Sequence, residues 1–321
     1  MPVIESTYKA PLLFRNYHIS TIYASALRKV PRPPFKRERL ELEDGDFMDI
    51  DWSSAPGKNT RVVIILHGLE GSSNRPYVMG MTNHFNKNGW DVAAVNLRGC
   101  SGEMNRLYRS YNAGASEDLE QVIAHILDGN IYSELALTGF SLGGNLMLKY
   151  LGEDRKLPKE IKGAVAISAP CDLYKSLLKL QEPQNFIYSR RFVNKLKKQL
   201  LLREQKFPGQ ISTEEIASCR SLYSIDDLYT GKAHGFEGAR DYYEKSSALN
   251  FIPNIKIPTL LLNATNDAFL SRNSSPEGLA QNNRHFYLET PKHGGHVGFL
   301  QNKEETYAEE RAVEFINKHA R

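Results

Sequence analysis

Short runs of consecutive apolar, β-branched residues recur along this chain, and they constrain its fold more than any other feature. The first is Val62-Val63-Ile64-Ile65-Leu66. Similar runs stand at Val92 to Val95, Leu135 to Thr138, Ala164 to Ile167 and Thr259 to Leu262. A strand with one wet face alternates apolar and polar residues, whereas a continuous apolar run needs cover on both faces. Helix-like segments lie between the runs. One opens at Ser116, a hydroxyl followed by Glu117 and Asp118, and reads as a capping side chain with acids in the first turn. Towards the C-terminus Ala308, Ala312, Phe315 and Ile316 share one helical face. Strands alternating with helices predict an α/β architecture, a mostly parallel central sheet with helices on both faces.

The alternation is interrupted twice. Before the first run, Pro31-Arg32-Pro33-Pro34 is a stiff connector. Glu38 to Leu42 and Phe47 to Trp52 then read as the strands of a hairpin around Asp44-Gly45-Asp46. The second interruption runs from Asp172 to Asn250, with no convincing central strand. Phe192, Leu196 and Leu200 stand there at helical spacing among Arg190, Arg191, Lys195, Lys197, Lys198 and Arg203. This is expected to be a helical cap over the C-terminal edge of the sheet, its Leu, Phe and Tyr side chains walling an acyl pocket. The expected organisation is a 1–60 N-terminal arm and hairpin, a 61–171 and 251–321 core, and a 172–250 cap. The basic stretch Arg190 to Lys206 has two readings: the solvated outer face of a cap helix, or a weak contact with an anionic membrane surface.

Composition narrows the function classes. Of 321 residues, 41% are hydrophobic and 24% charged, the balance of a globular protein rather than a disordered one. Lys+Arg 41 against Asp+Glu 37 leaves a net charge of +4, too weak for a dedicated nucleic-acid binder. The cysteines are Cys100, Cys171 and Cys219, with no CxxC spacing, which argues against a disulfide framework and a zinc-finger type site. No apolar stretch has the length of a signal core or a membrane span, so a cytoplasmic location is expected.

Gly139-Phe140-Ser141-Leu142-Gly143 fits G-x-S-x-G. It follows an apolar strand and precedes the helical segment Asn145 to Leu151, the strand–turn–helix setting of a nucleophile elbow. The turn strains the serine backbone, so its close neighbours must be small; Gly139, Gly143 and Gly144 meet that demand. A serine hydroxyl at its free pKa is a poor nucleophile and needs a base oriented by an acid. Asp267, in the loop after Thr259 to Leu262, is the only carboxylate between Ile255 and Ser275. His296 lies in Gly294-Gly295-His296-Val297-Gly298, after the strand-like Phe286-Tyr287-Leu288. Both follow the C-terminal ends of expected strands, where ligands bind in open α/β sheets. His293 is the rival histidine; with His296 it forms H-x-x-H, but no acid stands at a familiar metal-ligand spacing.

The oxyanion hole needs two backbone N–H groups. Leu142, directly after the serine, is expected to supply one, and Leu69 in His67-Gly68-Leu69-Glu70-Gly71 the other. His67 is expected to shape that loop. Arg98 in Arg98-Gly99-Cys100-Ser101-Gly102 is expected to tie loops together rather than to receive an anionic substrate group. Cys100 has no histidine assigned to it as an alternative nucleophile.

These residues resemble the YheT-like branch of the α/β-hydrolase superfamily, whose animal relatives include membrane-associated lipid hydrolases. The resemblance spans nearly the whole chain. It is carried by Tyr17 to Tyr23, Asp44 to Phe47 with Asp49 to Trp52, His67 to Ser72, Asn96 to Gly102, Gly139 to Asn145, Pro258 to Ala264 and Gly294 to Phe299. It implies carboxylester hydrolysis with Ser141, Asp267 and His296 in the positions of the triad. The family pattern Asp-Asp-Pro-Phe reads Asn266-Asp267-Ala268-Phe269 here, which leaves Asp267 as the sole acid and removes a stiffening proline. The expected function is cleavage of short- to medium-chain acyl esters through an acyl-enzyme, with no metal or organic cofactor. Acyl transfer by the same triad, or a binding protein on the same fold, are the alternatives.

Overall fold

The computed structural model describes residues 2–319. Nine strands form one sheet: β1 (Val3–Ile4), β2 (Lys36–Glu41), β3 (Phe47–Ser53), β4 (Arg61–Leu66), β5 (Asp91–Asn96), β6 (Glu134–Phe140), β7 (Ile161–Ile167), β8 (Thr259–Leu262) and β9 (Phe286–Glu289). Their spatial order is β1-β9-β8-β7-β6-β4-β5-β3-β2. The hairpin β2–β3 joins β5 antiparallel, and every other pairing is parallel.

The helices are α1 (Tyr17–Ile22), α2 (Pro76–Lys87), α3 (Ser116–Asp128), α4 (Leu142–Gly152), α5 (Leu173–Leu180), α6 (Phe186–Lys206), α7 (Thr213–Ser218), α8 (Leu222–Ile225), α9 (Gly231–Ala233), α10 (Ala239–Ser246), α11 (Glu277–Asn282) and α12 (Tyr307–His319). The continuous apolar runs have their physical reason here. In β4, Val62, Ile64 and Leu66 enter the core shared with α3 and α4, through Leu119, Ile123, Leu146 and Tyr150. Val63 and Ile65 enter the opposite core, with Val78, Met81 and Phe85 of α2 and Phe315 and Ile316 of α12. Burying each such side chain stabilises the fold by about 1.5–3 kcal/mol. Between β7 and β8 the chain is helical, without a strand among the described residues, from α5 to α10.

Three features depart from local expectation. First, Ser116 does not cap α3. The N-cap is Ala115, without a side-chain cap, and the Ser116 hydroxyl accepts from Lys149 Nζ (3.1 Å) and Arg155 Nη2 (3.3 Å) instead. Second, the basic face of α6 is not simply solvated. Arg203 is buried and donates to the Leu107 and Tyr108 carbonyls (2.9 and 2.7 Å). Lys195 donates to the Glu70 carbonyl (2.6 Å) and Lys206 to that of Asn105 (2.9 Å), so these cations fasten α6 to the loops after β4 and β5. Third, β1 and the hairpin sit near opposite edges of one sheet. The segment between them must therefore cross the molecule, and it does so over the loop that carries His296.

Candidate active site

Ser141 sits between β6 and α4 with φ 51° and ψ −120°. A non-glycine residue at positive φ is strained and persists only where its surroundings over-determine it. The Ser141 N–H donates to the Ile167 carbonyl (2.9 Å), and the Asn145 N–H donates to the Ser141 carbonyl (3.1 Å). The neighbouring glycines are demanded by packing. A Cβ on Gly139 would lie 2.6 Å from the Gly143 carbonyl oxygen, and one on Gly143 would lie 2.5 Å from that of His67.

His296 Nε2 is 2.9 Å from Ser141 Oγ. On the other side of the ring, Nδ1 is 2.9 Å from Asp267 Oδ2 and 3.1 Å from Oδ1. A carboxylate only accepts, so Nδ1 carries the proton and Nε2 is left to accept from the serine hydroxyl. Asp267 Oδ1 also accepts from the Phe269 N–H (2.8 Å), and the Phe269 ring lies 4.2 Å from the imidazole centroid. Thus the three residues are in one hydrogen-bonded line. His293 is not part of it. No group of three or more His, Cys, Asp or Glu positioned to hold a metal ion occurs among the described residues.

Leu69 borders both cavities that contain Ser141, and Leu142 borders one of them. Neither N–H finds a protein partner among the described residues. His67 explains the loop around Leu69. Its Nε2 accepts from the Leu97 N–H (3.1 Å), so Nδ1 carries the hydrogen and donates to the Gly68 carbonyl (2.8 Å). The Gly71 N–H donates to the same oxygen (2.9 Å). In a trans peptide the N–H points opposite to the C=O, so pinning the Gly68 carbonyl fixes the direction of the Leu69 N–H. Burial holds the His67 imidazole neutral, its pKa pushed down to about 4.

Arg98 is buried. Nε and Nη2 form a bidentate pair with Asp118 (2.7 and 2.6 Å), and Nη1 reaches Asp44 (2.8 Å) and Asp46 (3.2 Å). It joins the hairpin turn to α3. The Cys100 thiol is pushed up by burial, which disfavours the thiolate.

Several supports of the site had no local signal. The His296 N–H donates to Thr21 Oγ1 (2.9 Å), and Ser20 Oγ donates to the Gly294 carbonyl (2.9 Å). The Val297 N–H donates to Ser168 Oγ (2.9 Å). Asn266 accepts from the Gly295 N–H (3.0 Å) and donates to the Arg15 carbonyl (3.1 Å). An aspartate at 266 could not make the second bond, so the departure from Asp-Asp-Pro-Phe links the acid loop to the arm. The one hint was the resemblance across Tyr17 to Tyr23.

Two cavity lobes meet at Ser141 and His296. One, of about 140 Å³, is apolar and bounded by Leu142, Leu173, Leu177, Leu180, Phe192 and Leu196. The other, of about 100 Å³, is bounded by Ile22, Arg75, Tyr188, Arg191 and Lys195. Helices α5 and α6 supply Leu173, Leu177, Leu180, Phe192 and Leu196 to the first.

An elbow serine on a mostly parallel sheet, in line with a histidine and a buried aspartate, is the arrangement of an α/β hydrolase. The profile of the α/β hydrolase fold matches residues 61–303. The chain is 34% identical to the Putative esterase YheT of Escherichia coli (strain K12) over 294 residues, 89% of this chain and 85% of that one. It is 26% identical to Phospholipase ABHD3 of Bos taurus over 327 residues, 98% and 79% of the two chains. Among solved structures, the Pyrococcus furiosus esterase Pf2001 superposes with a TM-score of 0.60 at 20% identity, over 92% of this chain and 100% of that one. The chain belongs to the α/β-hydrolase superfamily, in its YheT-like branch.

Proposed function

We propose that this hydrolase is a serine carboxylesterase that cleaves short- to medium-chain acyl esters through an acyl-enzyme on Ser141. The observation that carries this reading is the continuous line Ser141 Oγ···Nε2 His296 Nδ1···Asp267, at 2.9 Å in both links. Ser141 Oγ attacks the ester carbonyl as its proton passes to His296 Nε2. Asp267 holds the ring tautomer and stabilises the imidazolium. The Leu69 and Leu142 N–H groups receive the oxyanion. His296 then protonates the leaving alcohol. Water, deprotonated by the same imidazole, attacks the acyl-enzyme, releases the acid and restores the Ser141 hydroxyl. The acyl chain lies in the apolar lobe under the cap, and the alcohol side faces the lobe that contains Arg191 and Lys195. The 172–250 segment is, on this reading, a functional cap on the 61–171 and 251–321 core.

Ser141→Ala should abolish p-nitrophenyl acetate turnover and labelling by a fluorophosphonate, with an unchanged circular dichroism spectrum. Turnover retained in that variant overturns the assignment. A series of p-nitrophenyl esters of increasing chain length tests the acyl lobe, with the best turnover expected at short to medium chains.

A further inference from the structure

The segment 17–27 is a helix turned inside out. Over two turns it buries Ser20, Thr21 and Ala24. It exposes Ile19, Ile22, Tyr23 and Leu27, which recur at i, i+3, i+4 and i+8 and so share one face. Its polar side holds the His296 loop through Thr21 and Ser20, so the helix cannot roll over to bury its apolar side. Just before it, Leu12 is 79% exposed and Leu13 61%. Beside it, at the start of α6, Phe186 is 58% exposed and Ile187 72%. His18 and Tyr188 join the two segments, Nδ1 to OH at 2.9 Å. Contiguous exposed apolar side chains of this kind mark an interaction surface.

Charge and position identify the partner. Residues 9–37 and 183–203 contain no aspartate or glutamate, and they carry Arg15, Lys29, Arg190 and Arg191, all exposed. Ile22 and Arg191 also border the lobe that reaches Ser141. Acids stand close by at Glu182, just before the second segment, and at Glu304 and Glu305, which border the cleft behind Tyr23 and Lys29. Apolar projections beside these four exposed cations suit a lipid surface with anionic headgroups, where apolar insertion and headgroup attraction add. The placement at the mouth delivers an amphiphile from the lipid to the serine without passage through water.

We infer that the N-terminal arm (residues 12–29) and the start of α6 form an interfacial face that docks the enzyme on anionic lipid surfaces with its active-site mouth against the lipid. This moves the membrane contact from the basic stretch of α6, whose Lys195, Arg203 and Lys206 are fastened to the core, to the arm and to the first turn of the cap helix. The inference goes beyond the proposed reaction and draws on it only for the meaning of the mouth.

Flotation with vesicles tests it. The full chain should float with phosphatidylcholine–phosphatidylserine vesicles, bind pure phosphatidylcholine vesicles more weakly, and lose binding as salt rises. The triple variant Leu12→Gln/Leu13→Gln/Ile187→Gln should bind at least about tenfold more weakly, because three exposed apolar anchors are lost. Arg15→Gln/Lys29→Gln/Arg190→Gln should lose the preference for phosphatidylserine. Ile131→Gln removes an apolar side chain 58% exposed outside these segments and should float like the parent. All of these positions are exposed, and an unchanged melting temperature certifies each variant. Ser141→Ala should also float like the parent, so failure of the catalytic reading leaves this result intact. The inference is overturned if the parent does not bind anionic vesicles at low salt, or if the triple variant binds equally well. It is also overturned if light scattering shows a parent dimer that the triple variant abolishes while no vesicle binding occurs, since the face then covers a second copy.

Discussion

Two buried polar clusters lie at the C-terminal end of the sheet, and they differ in what they leave open. Around Arg98, the guanidinium meets Asp118 on one edge and Asp44 and Asp46 on the other, with its side chain fully buried. Its donors are engaged by carboxylates, and nothing there can take up or release a partner without breaking a paired charge. Around Ser141, the aspartate and histidine are equally sheltered, but the line ends in a hydroxyl that faces two cavity lobes. The first cluster holds loops in place. The second keeps one hydrogen bond exchangeable. Arginine at a strand end is therefore no sign of a substrate site until its donors are accounted for, and here they are.

Ser141→Ala breaks the comparison most sharply on the catalytic side. It should lower kcat on p-nitrophenyl acetate by on the order of 10⁶, the scale seen when a triad nucleophile is removed, with little change in melting temperature. Asp267→Asn should lower kcat by about 10⁴, because the imidazole then settles in the wrong tautomer. A loss of less than tenfold would show that Asp267 does not orient His296. Arg98→Met should act in the opposite sense. It removes the buried cation shared by Asp44, Asp46 and Asp118, leaving Arg109 alone to face Asp44 and Asp118. This should destabilise the fold by about 3–5 kcal/mol in urea unfolding, with kcat nearly unchanged while the protein remains folded.

Asp226, in the cap beneath the apolar lobe, sharpens the contrast between paired and unpaired groups. It accepts from Thr230 Oγ1 and Tyr243 OH, both at 2.6 Å, without a cationic partner among the described residues. Burial pushes its pKa up to about 6 from 3.8. The native state therefore binds the proton more tightly than the unfolded chain. The stability this provides is fully present below pH 4 and is lost as pH rises through 6. Asp226→Asn should remove that pH dependence, leaving the variant equal to or more stable than the parent at pH 7 by up to about 3 kcal/mol. A parent–variant stability difference that does not change between pH 4 and 6 would show that Asp226 ionises freely. The smallest effect belongs to Thr21. Thr21→Val leaves the His296 N–H without an acceptor, and kcat should fall about tenfold with KM nearly constant. Thr21→Ser should restore it, which a packing role for the methyl group would not allow.

Much of the core was legible because its signals are local. An apolar run four or five residues long reports cover on both faces of a strand, and all five such runs became interior strands of the sheet. Gly-x-Ser-x-Gly after a strand reports a tight turn: Gly139 is required by contact with Gly143 a few residues on, although Gly143 is required by His67 and Leu66 at the end of the neighbouring strand. Ser116 was misread because a hydroxyl before two acids looks the same whether it caps the helix or meets Lys149 on the next one. Arg203 was misread as solvated because its carbonyl partners, Leu107 and Tyr108, belong to a distant loop. The same blindness hid Thr21, whose partner is His296.

The sequence by itself determined the α/β class, the elbow at Ser141, and the order of serine, acid and histidine, since these rest on periodicity and on turn chemistry within short windows. Only the tertiary structure decided which N–H each hydroxyl serves, which cations are fastened and which remain free, and that one short helix wears its apolar face outward. Those outcomes depend on residues far apart in the chain. The arm meets the His296 loop because β1 and the hairpin lie at opposite edges of the sheet, and the α6 cations meet carbonyls of the loops after β4 and β5.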